Sequence, residues 1–357
     1  MAKLKETNIF NSILIELEHQ GVSDIHLKSG YKIYYRLFGD IKVYEKSEVL
    51  NNSALISCIA EVFTEKIKID FKNTNQADFG FATSNDTRYR ANLFRTNTGY
   101  ALSLRRINNY IASFEDLHAP EIFKEIATLQ KGLVIVSGPT GCGKSTTITS
   151  IIDYINSNYH KHIITIEDPI EFVHHNKNCL INQREVGVDA RSFSLAIKAA
   201  LREDPDIILL GEIRDPETIK ECLTAAETGH LVFTTMHTQT AAKSVDRIIE
   251  TCQPEEKEMV RSMLSTSLQA VILQKLLKQK DGNGRIAAFE ILLGTSAIRN
   301  LIKENRIAQI DSMLQTGKKF GMVDMNTSIL KLFKDGYISK EEMDANIQKL
   351  GRENGDE

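Results

Sequence analysis

Nowhere in the 357-residue chain does an apolar run approach the ~18 residues that a membrane-spanning helix needs, and no surplus of basic side chains marks the protein for nucleic acid. Lys and Arg number 44 against 47 Asp and Glu, a formal net charge of −3, which weakens a helicase reading without removing it. Cys58, Cys142, Cys179, Cys222 and Cys252 are odd in number and never form C-x-x-C, so neither a disulfide framework nor a zinc knuckle is indicated. The opening Met1-Ala2-Lys3-Leu4-Lys5-Glu6-Thr7 lacks the apolar centre of a signal peptide, and no tandem repeat or low-complexity block appears. What remains is an ordinary globular composition, 42% hydrophobic and 25% charged, long enough for about two domains and expected in the cytoplasm.

Against that plain background one stretch carries chemistry. Gly138-Pro139-Thr140-Gly141-Cys142-Gly143-Lys144-Ser145 follows the apolar run Leu133 to Val136 and precedes a helical pattern from Thr146 to Ile152. This is G-x-x-x-x-G-K-[ST] between a strand and a helix: glycines let backbone N–H groups close around phosphate oxygens, and the helix N-terminus favours negative charge there. Gly138, Thr140, Gly141, Cys142, Gly143, Lys144, Ser145 and Thr146 are expected to hold a nucleoside triphosphate, with Lys144 on the β/γ-phosphates and Ser145 on Mg²⁺.

Around this loop the pattern alternates strand and helix, the mark of a parallel sheet. Short apolar runs at 133–136, 163–166, 207–210 and 231–235 read as its strands, and chemistry belongs outside their carboxyl ends. There stand Glu167 and Asp168, then Glu212, then His237. Four apolar residues followed by Glu212 match a Walker B strand, whose carboxylate orients the attacking water or holds Mg²⁺ through water. Glu167 has the same two uses, and an ordinary strand-end carboxylate stays open for it. His230 and His237 flank one strand, where structural hydrogen bonding competes with catalysis. Residues 255–277 read as a long helix, and short helices are expected over 296–303, 306–315, 323–333 and 340–350.

The first ~107 residues read differently. Ile9, Phe10, Ile13, Leu14 and Leu17 share a helical face; alternation at Tyr31, Ile33, Tyr35 and Leu37 with a Gly39-Asp40 turn predicts a hairpin; and a second helix over 54–63 precedes strands at 78–82, 87–95 and 100–107. This is a small α+β domain with an antiparallel sheet. Arg88, Arg90, Arg95, Arg105 and Arg106 cluster on its last two strands, where a solvated face and a functional cluster both fit.

The phosphate loop, Thr165 to Phe172, Leu209 to Asp215 and Thr228 to Thr238, in this order, resemble the Walker A, Asp box, Walker B and His box of the secretion ATPase superfamily. Ala297 to Ile302 looks like the A-I-R-N-L-I motif of its pilus-retraction branch, and Gln315-Thr316-Gly317 with Gly321-Met322 fits that branch too. Ser23 to Leu27 and Arg88 to Asn92 are similar to the family's N-terminal domain. The resemblance implies an α/β protein with a PAS-like α+β domain at 1–107, a linker at 108–120 and a RecA-like P-loop ATPase domain at 121–357, including C-terminal helices over about 295–350 and a polar, disordered tail at 351–357. It also implies a cytoplasmic homohexamer that hydrolyses ATP with Mg²⁺ and powers type IV pilus retraction. Its partner would be the platform protein on the inner face of the cytoplasmic membrane, with no zinc and no nucleic acid.

Residue by residue, the resemblance assigns the attacking water to Glu212 and the water shell of the metal, held by Ser145, to Glu167 and Glu212. It brings Arg90 and Arg105 onto the phosphates, couples site to interface through His230 and His237, and makes Arg299 and Asn300 the candidate motor residues. Thr98-Gly99 departs from relatives that often carry Arg before that glycine, which leaves a third arginine contact, or Arg95 in its place, open. An accessory retraction ATPase, an assembly ATPase of a divergent pilus or secretion system, and a nucleic-acid translocase are the alternatives. An extra N-terminal domain and a tetracysteine insertion, usual in the assembly branch, are not expected.

Overall fold

The computed structural model describes residues 2–37, 40–107, 110–282 and 284–347. Gly39, Asn108, Asn109 and the tail expected at 351–357 lie outside these, as do residues 348–350 of the last expected helix. The described chain is a mixed α/β protein of two compact units, Met1–Tyr110 and Ile111–Glu357.

In the first unit, strands β1 (Ala2–Lys3), β2 (Asp24–Lys28), β3 (Tyr34–Leu37), β4 (Asp40–Val43), β5 (Gln76–Ala82), β6 (Arg88–Thr96) and β7 (Gly99–Ile107) form one sheet in the order β1-β5-β6-β7-β2-β3-β4. All pairs are antiparallel except β1 with β5. Helix α1 (Ile9–His19) starts on Asn8, whose side chain caps the Phe10 amide, and buries Phe10, Leu14 and Leu17 while leaving Ile9 in solvent. Helix α2 (Asn52–Ile59) falls on the stretch expected at 54–63, and a further helix that was not expected, α3 (Glu65–Thr74), follows it. The core joins Leu14, Leu17, Ile25, Leu55, Phe81, Tyr89, Leu93 and Leu102.

In the second unit, α4 (Ile122–Ala127) leads to a seven-stranded sheet of order β10-β9-β11-β12-β8-β13-β14. Its strands are β8 (Gly132–Ser137), β9 (His162–Glu167), β10 (Leu180–Glu185), β11 (Ile207–Leu210), β12 (Leu231–Met236), β13 (Leu268–Lys278) and β14 (Arg285–Leu293), all parallel except β14. Between and after them come α5 (Lys144–Asn158), α6 (Phe193–Ala200), α7 (Pro216–Glu227), α8 (Ala241–Glu250), α9 (Lys257–Ser267), α10 (Ser296–Lys303), α11 (Ile310–Thr316), α12 (Met325–Lys334) and α13 (Lys340–Asn346). Both faces are covered: Leu133 and Ile135 pack under α6 to α10, and Val134 and Val136 under α4 and α5. That is why these strands read as unbroken apolar runs.

Two expectations are corrected here. The helix expected over 255–277 ends at Ser267, and Leu268 to Lys278 form β13, a strand buried between β8 and β14. Residues 111–120, expected as linker, belong to the second unit, because Phe114 is 6% exposed and stacks on Tyr154 at 4.7 Å. No helix among the described residues is long and apolar enough to cross a membrane.

Candidate functional site

The carboxyl ends of β8, β12, β11 and β9 open onto a cavity of about 580 Å³, a size suited to a nucleotide. Thr140, Gly141, Gly143, Lys144, Ser145 and Thr146 line one side, and Glu167, Glu212 and His237 the other. Gly138 and Cys142 are structural members of the loop. Gly138 has φ 143°, and a Cβ there would lie 2.4 Å from the Gln274 carbonyl oxygen and 2.7 Å from Cys142 Sγ. The buried Cys142 thiol is held above its ordinary pKa by desolvation. Helix α5 begins after Gly143 with no side-chain cap, so its first-turn N–H groups face the loop.

Lys144 is buried. Its Nζ donates to the carbonyl oxygens of Gly138 at 2.9 Å and Pro139 at 3.1 Å, and lies 3.3 Å from Nδ1 of His237. Desolvation lowers its pKa, against the pull of Glu171 and Glu212. His237 is held below its ordinary pKa by burial and by the Lys144 ammonium. A neutral ring that accepts from Lys144 at Nδ1 carries its proton on Nε2, which stands 3.8 Å from Oε2 of Glu212. His237 therefore stands between the lysine and the carboxylate, within hydrogen-bond reach of the lysine alone.

Glu212 lies two residues past the end of β11 with its side chain 16% exposed, and Oε1 pairs with Arg214 at 2.5 Å. Next to it Thr235 donates to the Gly211 carbonyl at 2.5 Å, pinning the two strand ends. Glu167 ends β9. Its Oε1 accepts from Thr165 Oγ1 at 2.6 Å and Gln183 Nε2 at 3.2 Å, yet burial outweighs both and raises its pKa. Ser145, Glu167 and Glu212 put hard oxygen donors on the walls of one cavity, a set that fits Mg²⁺ with retained waters.

Sequence reasoning passed over Arg214, Gln183 and Thr235. Arg214 had a signal, two residues beyond Glu212 in the same loop, whereas Gln183 and Thr235 come into place only through strand pairing. His230 is not brought into the cluster: it stands at the amino end of β12 with Nδ1 3.0 Å from the Ala225 carbonyl oxygen. Arg299 and Asn300 also lie elsewhere. Arg299 donates to the carbonyls of Gly294 (2.7 Å) and Thr266, and to Gln269 Oε1 (3.1 Å), bracing the end of α9 against the β14–α10 turn. Asn300 is exposed and donates to Glu304. Ile298, Leu301 and Ile302 between them are core. Arg90 and Arg105 belong to the first unit, where they are directly opposed on β6 and β7 and both exposed.

A phosphate loop facing carboxylates at neighbouring strand ends defines a P-loop nucleoside triphosphatase. The family model described as "Type II/IV secretion system protein" matches residues 3–345. The type IV pilus retractation ATPase PilT of Pseudomonas aeruginosa is 48% identical over 322 residues, 90% of this chain and 93% of that one. A twitching motility protein of Neisseria gonorrhoeae is 50% identical over 306 residues, 86% of this chain and 82% of its own. Among solved structures, the pilus retraction motor PilT with bound ADP superimposes with a TM-score of 0.88 at 42% identity, covering 96% of this chain and 98% of that one. The chain belongs to the PilT family of type II/IV secretion ATPases.

Proposed function

We propose that this protein is the motor of type IV pilus retraction, a homohexamer that converts ATP hydrolysis into movement of one unit against the other. The observation that carries this reading is the single cavity that gathers Lys144, Ser145, Glu167, Glu212 and His237, in a chain 48% identical to a retraction ATPase. The first unit is PAS-like and the second RecA-like in this reading. Backbone N–H groups of 141–146 and Lys144 bind the triphosphate; Ser145, Glu167 and Glu212 would hold Mg²⁺, which would offset phosphate charge. Glu212 orients the attacking water and accepts its proton, with His237 standing beside the carboxylate. Arg90 and Arg105 close over the phosphates, a contact worth roughly 10³–10⁵ in rate. Their release after hydrolysis frees the first unit to move.

The protein acts in the cytoplasm on the inner-membrane platform of the pilus machine. Deletion of the gene tests this: loss of a retraction motor leaves excess surface pili and no twitching, whereas bald cells identify an assembly motor. An accessory role has one supporting observation, 33% identity over 333 residues to the type IV pilus ATPase PilU of P. aeruginosa, and predicts that a second ATPase gene still supports retraction in the deletion strain. Stimulation of hydrolysis by DNA or RNA with a steep salt dependence would contradict all of these in favour of a translocase.

A further inference from the structure

Four residues on four neighbouring strands of the first unit stand directly opposite one another: Arg90 on β6, Arg105 on β7, Asp24 on β2 and Arg36 on β3. Directly paired residues share a face, so one row across this sheet carries three cations and a single anion. Opposed arginines repel, and Arg90 is exposed without an ion pair among the described residues. Such a row carries a net positive charge.

Asp24 engages Arg105 in a particular way. Its Oδ1 accepts from Nε of Arg105 at 2.8 Å, while Oδ2 accepts from Ser23 Oγ at 2.8 Å. The carboxylate is the sheltered partner, 13% exposed, and the arginine side chain is 76% exposed. A guanidinium is a rigid planar fork. A carboxylate on Nε fixes its plane and leaves the two terminal amino groups, which make no hydrogen bond among the described residues, on the solvent side. With the arginine side chain largely in solvent, the pair contributes little to the stability of the sheet. Its value lies in where it points Arg105.

We propose that Asp24 is the positioning residue for Arg105, holding the guanidinium by its Nε edge so that both terminal amino groups face the phosphate oxygens of the nucleotide. The inference rests on the reading of Arg105 given above. Asp24 touches no substrate and acts only through the arginine.

A mutant cycle on the full-length protein tests it, reading steady-state hydrolysis, affinity for ADP and for the non-hydrolysable analogue AMP-PNP, and melting temperature. Asp24→Ala is expected to lower kcat about tenfold, since a misaimed group costs one to two decades in rate. AMP-PNP affinity falls with it, and ADP affinity is retained. Asp24→Asn still offers an oxygen to Nε and is expected to recover most of the rate. Arg105→Ala loses about 10³ in kcat, and Asp24→Ala added to it costs nothing further. Asp24→Ser supplies the same cycle should Asp24→Ala fail to fold. A tenfold loss that persists in the Arg105→Ala background, or a normal rate in Asp24→Ala beside a crippled Arg105→Ala, overturns the positioning role alone. A normal rate in Arg105→Ala overturns the arginine reading itself, and the Asp24 proposal with it.

Discussion

Two glycines of one loop make a matched pair of probes. Gly138 and Gly141 both have positive φ, 143° and 76°, but a Cβ at Gly141 meets nothing within 4 Å whereas one at Gly138 meets the Gln274 carbonyl oxygen at 2.4 Å. That oxygen cannot retreat, because Gln274 lies within β13, a buried strand paired on both sides. Gly141→Ala therefore carries backbone strain alone, about 1–2 kcal/mol. Gly138→Ala carries strain of about 1–3 kcal/mol plus overpacking of about 1–3 kcal/mol. Backbone strain is common to both, so the expected gap is the overpacking, about 1–3 kcal/mol, or roughly 2–12 °C in melting temperature for a unit of this size.

Thermal unfolding without nucleotide, followed by near- and far-ultraviolet circular dichroism, measures that gap free of any effect on binding. Labelled-ADP polarisation then asks whether Gly138→Ala also spoils the loop, as a shift of the Gly138 carbonyl would, since it accepts from Lys144. Equal melting temperatures for the two variants, or a lower one for Gly141→Ala, would refute the argument that β13 braces the loop from behind.

Glu212→Gln keeps ATP binding and loses about 10²–10⁴ in turnover, measured by phosphate release; wild-type-like hydrolysis would remove Glu212 from its role. Arg299→Ala leaves two carbonyls and Gln269 without a donor and should destabilise the second unit by about 2–4 kcal/mol, read as a lower melting temperature. Loss of twitching with unchanged melting would instead favour a motor role for Arg299. His174 is buried with Nδ1 unpartnered, and burial lowers its pKa to about 4. The unfolded chain, with an ordinary histidine near 6.5, binds the proton first, so stability falls as pH drops from 6.5 toward 4, by at most about 3 kcal/mol. His174→Gln should flatten the pH dependence of melting across that window, and an unchanged slope would exclude His174 as its source.

The sequence discloses the phosphate loop because its glycine spacing is a local demand, met within eight residues. The strands at 133–136, 163–166, 207–210 and 231–235 are legible for a related reason: burial on both faces leaves short apolar runs bounded by polar turns. The same burial conceals β13. Leu264, Leu268, Val271, Ile272 and Leu276 are spaced as a helix face would be, and nothing local says that Leu268 lies between two strands. Strand β10 escapes because it is an edge, with Leu180 half exposed and only Ile181 buried in it. Arg299 looks like a free functional group in sequence because its three acceptors, two of them backbone carbonyls, are gathered by tertiary structure.

The order of the chemistry in space is likewise absent from the chain order. Along the chain the groups run Lys144, Glu167, Glu212, His237, but the strands lie in the order β8, β12, β11, β9. Neighbouring strands are about 4.8 Å apart, so β8, which leads into the loop of Lys144, and β9, which ends in Glu167, lie roughly 14 Å from one another, with the strands leading to His237 and then Glu212 between them. A histidine at the carboxyl end of β12 must stand between the phosphate-binding lysine and the carboxylate; one at the amino end of that strand, as His230 is, lies about 20 Å away at the opposite ends of the strands. Two histidines that flank one strand are indistinguishable by spacing and opposite in consequence, and the parallel direction of β12 beside β8 decides between them.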